Sequence, residues 1–244
     1  LNILRITGGE PLLQKSTWKL LDDLDNNPKP NLEININSNL AIKPILVERL
    51  TAKVNKLIKE KKIKRFKLFT SLDTWGKPAE YIRTGLDLKV WETNFNTWMP
   101  KTDQPITFMV TFNVLCVTTF QSLLEKFLEW REQYQTGSVR IRFDTPYLKE
   151  PLQYDMNILP KSFISYMEAH LQFIADNLDD DNVNKFSKLE YEKFRRVVEY
   201  MRTTTYSEEK LIEGRRDFVA WFQEHDIRRQ TNFAQTFPDL KDVF

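Results

Sequence analysis

The sequence predicts an α/β fold: an incomplete parallel barrel followed by a mainly helical region. Three observations carry this. Runs with apolar period 2 alternate with runs of period 3.6 over residues 1–145. The intervening runs are long enough to be crossover helices, as parallel strands require. Each strand-like run has one apolar and one polar face. An antiparallel sheet with a wet face also fits that last pattern, but the intervening helices favour the barrel. A closed barrel fills its lumen with branched apolar side chains, so a polar lumen argues for an open one.

The elements follow in order. Residues 1–7 read as a strand, with Arg5 and Thr7 opposite Leu4 and Ile6. The loop Thr7-Gly8-Gly9-Glu10-Pro11 comes next, where two glycines let the backbone bend and approach a ligand closely and Pro11 marks a helix start. Helix 12–25 has Leu13, Thr17, Leu20, Leu21 and Leu24 on one face. Strand 32–38 sets Leu32, Ile34 and Ile36 against Asn35 and Asn37, continuing to Asn39. Helix 43–60 carries Leu46, Leu50, Val54 and Leu57. Strand 63–72 sets Phe66, Leu68 and Leu72 against Lys67, Phe69 and Ser71, then Asp73. Residues 74–104 read as irregular, with a short helix near 86–97. Strand 105–116 and strand 138–144 flank helix 119–135; in the latter strand Arg140, Arg142 and Asp144 share the polar face. A proline-marked connection, 145–160, leads to helices at 161–178, 184–202 and 207–225 and a loop-like tail, 226–244. The predicted division is a barrel core at 1–145 and a helical region at 146–244.

Composition excludes several classes. A net charge of +2 is too small to argue for nucleic acid or an anionic membrane, and no apolar run approaches a membrane span. The single cysteine, Cys116, excludes a disulfide framework and a self-contained cysteine metal site. With no secretory pattern, a cytoplasmic location is expected. His170 and His225 lie far from the strand ends and read as surface residues, so a hydrolytic enzyme is the least favoured reading. The chain opens at Leu1 inside a strand, which predicts a piece of a longer protein. The lumen charges, Arg5, Lys67, Arg140 and Arg142 against Asp73 and Asp144, lean positive and suit a ligand with carboxylates.

Gly8-Gly9-Glu10-Pro11 after a strand resembles the GGE motif of radical S-adenosylmethionine (SAM) enzymes. Asn37-Ser38-Asn39-Leu40 is similar to that family's Thr-Asn-Gly step, and Ser71-Leu72-Asp73 to its Ser-Ile-Asp. Glu80-Tyr81-Ile82-Arg83-Thr84-Gly85, and the ending Arg228–Phe233 with Phe237-Pro238-Asp239-Leu240, resemble the SPASM/twitch branch. The resemblance implies a barrel of the radical SAM type lacking its first strand, with a twitch-like C-terminal region. It implies that the loop Gly8, Gly9, Glu10 and Pro11 holds the methionyl amino group of SAM through backbone carbonyls, with the Glu10 side chain nearby, and that Asn39 is a further cofactor-binding residue. Ser71 and Arg83 would bind the methionyl carboxylate, a guanidinium being suited to two parallel hydrogen bonds, and Asp73, or a neighbour on that strand, would accept from the ribose hydroxyls. It also implies a [4Fe–4S] cluster on three cysteines, Cys-x-x-x-Cys-x-x-Cys. None of these is in this chain, so its ligands are expected upstream of Leu1.

The leading expectation is therefore a fragment of a radical SAM enzyme that is inactive alone. With its cluster and an external electron donor, the complete protein would generate a 5′-deoxyadenosyl radical for hydrogen abstraction from a substrate, a peptide or protein being one class. No catalytic residue and no metal ligand is assigned within the chain. The alternative is a non-catalytic α/β barrel domain that binds SAM or a peptide without a cluster.

Overall fold

The computed structural model describes residues 1–135 and 137–244. Five strands form one open parallel sheet in sequential order: β1 (Ile3–Ile6), β2 (Lys29–Ser38), β3 (Ile63–Ser71), β4 (Ile106–Met109) and β5 (Ile141–Asp144). The register aligns Ile6 with Ile36, Ile36 with Leu68, and Leu68 with Ile106. This row is the buried face that the alternation predicts: Ile34, Ile36, Phe66, Leu68, Ile106 and Phe108 are fully buried. The crossovers are α1 (Lys15–Asn26), α2 (Pro44–Lys59), α4 (Leu88–Lys101) and α5 (Phe120–Tyr134), with α3 (Lys77–Ile82) between β3 and α4. The open sheet with its helices, followed by a helical region, is an incomplete α/β barrel as predicted.

The chain divides into two compact units. The first comprises Leu1–Ser71, Gly85–Met109 and Trp130–Phe143; the second comprises Leu72–Thr84, Val110–Glu129 and Asp144–Phe244. In the first, Trp91 stacks on Phe95 at 5.1 Å and Trp130 on Phe108 at 5.4 Å. These rings remove a large apolar area from water and stabilise that unit. The second unit adds α6 (Ile164–Asp176), α7 (Lys188–Thr203), α8 (Glu208–Arg229) and α9 (Phe233–Thr236). Its core holds Phe112, Phe120 and Phe194 with centroids 5.1–5.6 Å apart. Gly214 of α8 lies so close to its neighbours that a Cβ there would stand 2.8 Å from Ile158 Cγ2 and 2.9 Å from Leu152 Cγ. Asp226, near the end of α8, accepts hydrogen bonds from Tyr81 Oη at 2.9 Å, Thr231 Oγ1 at 2.7 Å and the Phe233 amide at 2.6 Å.

Several boundaries differ from the sequence expectation, each for a local reason. Pro11 opens a 3₁₀ turn, Pro11–Leu13, and the helix itself starts at Lys15. Leu12 is consequently buried and Leu13 is exposed. The strand predicted at 105–116 ends at Met109. Apolar alternation persists because Val110 and Phe112 still bond along the chain to the carbonyls of Asp144 and Pro146, before Asn113 caps a 3₁₀ turn. The region 74–104 holds two helices, the first announced by Gly76 and Pro78. The tail is not loop-like: α8 runs to Arg229, ends on left-handed Gln230, and α9 follows behind an Asn232 cap. No helix among the described residues is long and apolar enough to cross a membrane.

Candidate functional site

The loops at the carboxyl ends of β1 and β2 form the best-defined polar assembly of the first unit. Gly8 and Gly9 have φ of +93° and +56°, which only glycine adopts cheaply. Nothing lies within 4 Å of where a Cβ would stand on either residue, so the loop presents open backbone. Glu10 closes the assembly. One carboxylate oxygen accepts from the Leu12 amide at 3.1 Å, as an N-cap, and the other from the Asn39 amide at 2.9 Å. One side chain thus joins the loop after β1 to the loop after β2.

The second loop is held just as closely. Asn39 Oδ1 accepts from the Ala41 amide at 2.9 Å, and Ser38 Oγ from the Leu40 amide at 3.1 Å. Leu40 sits at φ +56° although it is not glycine. Asn94, fully buried in α4, donates through Nδ2 to the carbonyls of Leu40 and Ile42, both at 2.7 Å. Sequence reasoning missed Asn94; a polar residue inside the aromatic run of that helix was the available signal. Ser71 ends β3, half-buried, one strand further along the same sheet edge.

Within the second unit, Asp73 and Arg83 form a pair. Arg83 Nη2 donates to Asp73 Oδ1 at 2.8 Å, and its Nε lies 2.8 Å from Oδ2. The Thr111 amide donates to Oδ1 at 2.7 Å. Asp73 is 2 % exposed. Burial pushes its carboxyl above the ordinary value, against the opposing pull of the Arg83 charge and the Thr111 amide. Arg83 Nη1 is the guanidinium nitrogen left over from this pair.

Three other expectations need correction. Arg140 does not point from a strand into a polar lumen: β5 starts one residue later. Its guanidinium donates to the carbonyls of Tyr134, Met99 and Thr102. His170 is buried rather than on the surface, its Nε2 lying 2.9 Å from the Val117 carbonyl; burial depresses its pKa. Asp144 of the polar set is paired with Lys193 at 3.0 Å. On the polar face of the sheet, Lys67 pairs with Glu33 at 2.8 Å, and Arg5 donates to Asn37 Oδ1 at 3.0 Å.

No protein-family model matches the sequence, and no curated protein does. Two solved structures share the architecture. One is native anSMEcpe with bound AdoMet and the Kp18Cys peptide, at a TM-score of 0.51 and 15% identity over 76% of this chain and 49% of that one. The other is hexahistidine-tagged anSMEcpe with bound AdoMet, at 0.51 and 16% over the same shares. This neighbour is an anaerobic sulfatase-maturating enzyme, a radical SAM enzyme. What the chain shares with them is the fold, an open parallel α/β barrel with helices. The chain spans about half the length of the solved structures it matches.

The residues present fit the two groups of such enzymes unequally. The open glycine loop and the Glu10 clamp suit a small polar ligand such as SAM. An iron–sulfur cluster does not fit: Cys116 is the one cysteine, it is fully buried, and burial holds its thiol protonated. No group of three metal-ligating side chains occurs among the described residues.

Proposed function

We propose that this chain is the SAM-holding barrel portion of a radical SAM enzyme of the SPASM/twitch branch, with a core at 1–145 and a helical twitch-like region at 146–244. The observation that carries this is an open glycine loop at the end of β1, tied through Glu10 to the loop after β2, in a fold of the radical SAM type. Backbone carbonyls of the Gly8–Pro11 loop hold the methionyl amino group. Glu10 is a positioning residue, since its oxygens are engaged by the amides of Leu12 and Asn39. The resemblance gives the methionyl carboxylate to Ser71 and Arg83, and Arg83 engages Asp73 through Nη2 and Nε. Asp73 acts through Arg83: both of its oxygens already face protein donors, which favours a positioning role over the ribose contact.

Bound SAM supplies the adenosyl group that the resemblance assigns to hydrogen abstraction from a substrate; a peptide is one class, as anSMEcpe binds one. Calorimetric titration of SAM into the chain is expected to give saturable binding that Arg83→Ala weakens at least about tenfold, the loss of one charge-assisted contact. An affinity unchanged by that substitution removes Arg83 from the site. The second reading is a non-catalytic α/β barrel domain that binds SAM or a peptide without a cluster. A Cys-x-x-x-Cys-x-x-Cys motif in the gene upstream of Leu1 decides between the two.

A further inference from the structure

The polar face of the sheet carries a second feature at the opposite end from the Gly8–Pro11 loop. A cleft of about 570 Å³ opens beside the amino-terminal half of β3 and the segments that lead into β4 and β5, all within the first unit. Five cations line it, Lys64, Arg65, Lys67, Arg140 and Arg142, against one carboxylate, Asp103. Glu33 lies 2.8 Å from Lys67 and 3.9 Å from Arg65 and offsets part of the charge. Lys64, Arg140 and Arg142 make no ion pair among the described residues. Arg140 is 7 % exposed, and its three hydrogen bonds go to neutral carbonyls. Those bonds fix the guanidinium without cancelling its charge, so a positive potential is built into the wall of the cleft.

The spacing of the cations selects among anions. Arg65 and Lys67 are two residues apart on one strand, about 6.6 Å along it, which is also the interval between same-side side chains of an extended peptide. Glu33 already occupies the space that a compact anion such as phosphate would take between Arg65 and Lys67. Single-stranded nucleic acid needs open aromatic faces on which bases stack, yet the ring lining this cleft, Phe69, is covered by the Arg5 guanidinium at 4.4 Å. Val139, exposed at the rim, offers an apolar contact between charges.

We propose that this cleft binds an extended acidic peptide segment that runs across the strands, with carboxylates seated on Arg65 and Lys67 of β3 and on Arg142 of β5, two strands away. The proposal is independent of the SAM reading, which concerns the other end of the strands.

Fluorescence anisotropy with a labelled Glu-Val-Glu-Val-Glu-Val peptide tests it. The full chain is expected to bind this peptide saturably, more weakly as salt rises, and not to bind the Lys-Val counterpart. The double substitution Arg65→Ala/Arg142→Ala removes two exposed side chains and should weaken binding about tenfold with the thermal melt unchanged. Should that variant melt early, Arg142→Gln alone should still weaken binding about threefold. Equal affinity in the variants, equal binding of the lysine peptide, no saturable binding, or displacement of the peptide by equimolar inorganic phosphate or oligothymidine each overturns the proposal.

Discussion

Glu10 and Asp73 are carboxylates placed just beyond the ends of two strands of one sheet, and they are satisfied in opposite ways. Glu10 is half-exposed and meets only backbone amides, one in its own loop and one twenty-nine residues away. Asp73 is buried and meets a guanidinium as well as an amide. The first ties two loops while water still shares its charge, so its loss costs hydrogen bonds. The second is enclosed, so its charge is tolerable only with Arg83 present. The difference shows which residue fixes the geometry of a loop and which carries a stored charge that a ligand could share.

The largest expected effect tests the enclosed pair. Arg83→Ala leaves Asp73 buried with one amide donor and should destabilise folding by about 3 kcal/mol, read as a shift of the urea midpoint. A change under about 1 kcal/mol, the worth of an exposed pair, would put Asp73 in contact with water and end the contrast. Glu10→Ala is expected to cost less, about 1–2 kcal/mol, as two part-exposed charge-assisted bonds are lost. It should also weaken SAM binding, because the loops lose their tie; intact affinity would reduce Glu10 to an N-cap. Gly8→Ala adds a Cβ where nothing stands within 4 Å, so only the left-handed backbone resists it, by about 1 kcal/mol. If the glycine serves close approach of a ligand, SAM affinity falls by more than stability does.

The smallest effect is in pH dependence. Asp73 titrates above its ordinary 3.8, so the folded chain takes its proton more readily than the unfolded chain does. Its contribution to stability is fully present below pH 3.8 and is lost as pH rises through the folded value. His170 runs the other way: held below 6.5 by burial, it contributes stability above pH 6.5 that is lost as pH falls through its folded value. His170→Gln should therefore flatten, without abolishing, the loss of stability between pH 7.5 and 5.5, since His225, also depressed by burial, contributes a slope of the same sign. An unchanged slope in urea melts at those two values would contradict the burial of His170.

What the sequence revealed and what it hid divide along the range of the interactions. The alternation of Leu32, Ile34 and Ile36 against Asn35 and Asn37 is a local pattern, and these apolar residues are buried as it predicts. The glycine loop was legible because left-handed backbone has a residue signature. Arg140 was misplaced because the predicted strand, 138–144, starts three residues before β5 does, which leaves Arg140 in the lead-in segment where strand alternation does not set its direction. The Asp73–Arg83 pair and the hold of Asn94 on Leu40 and Ile42 were hidden because they join residues 10 to 54 apart, for which no period exists.

The bond from Tyr81 to Asp226 spans 145 residues of chain. Closing so long a loop is entropically slow to reward, so contacts of this kind form after the local helices of the second unit. The clasp is therefore expected to be absent from the folding transition state. Removing the hydroxyl by Tyr81→Phe should then leave the refolding rate nearly unchanged and accelerate unfolding. On that outcome Asp226 is a brake on opening, setting how long the tail stays closed rather than how quickly it closes.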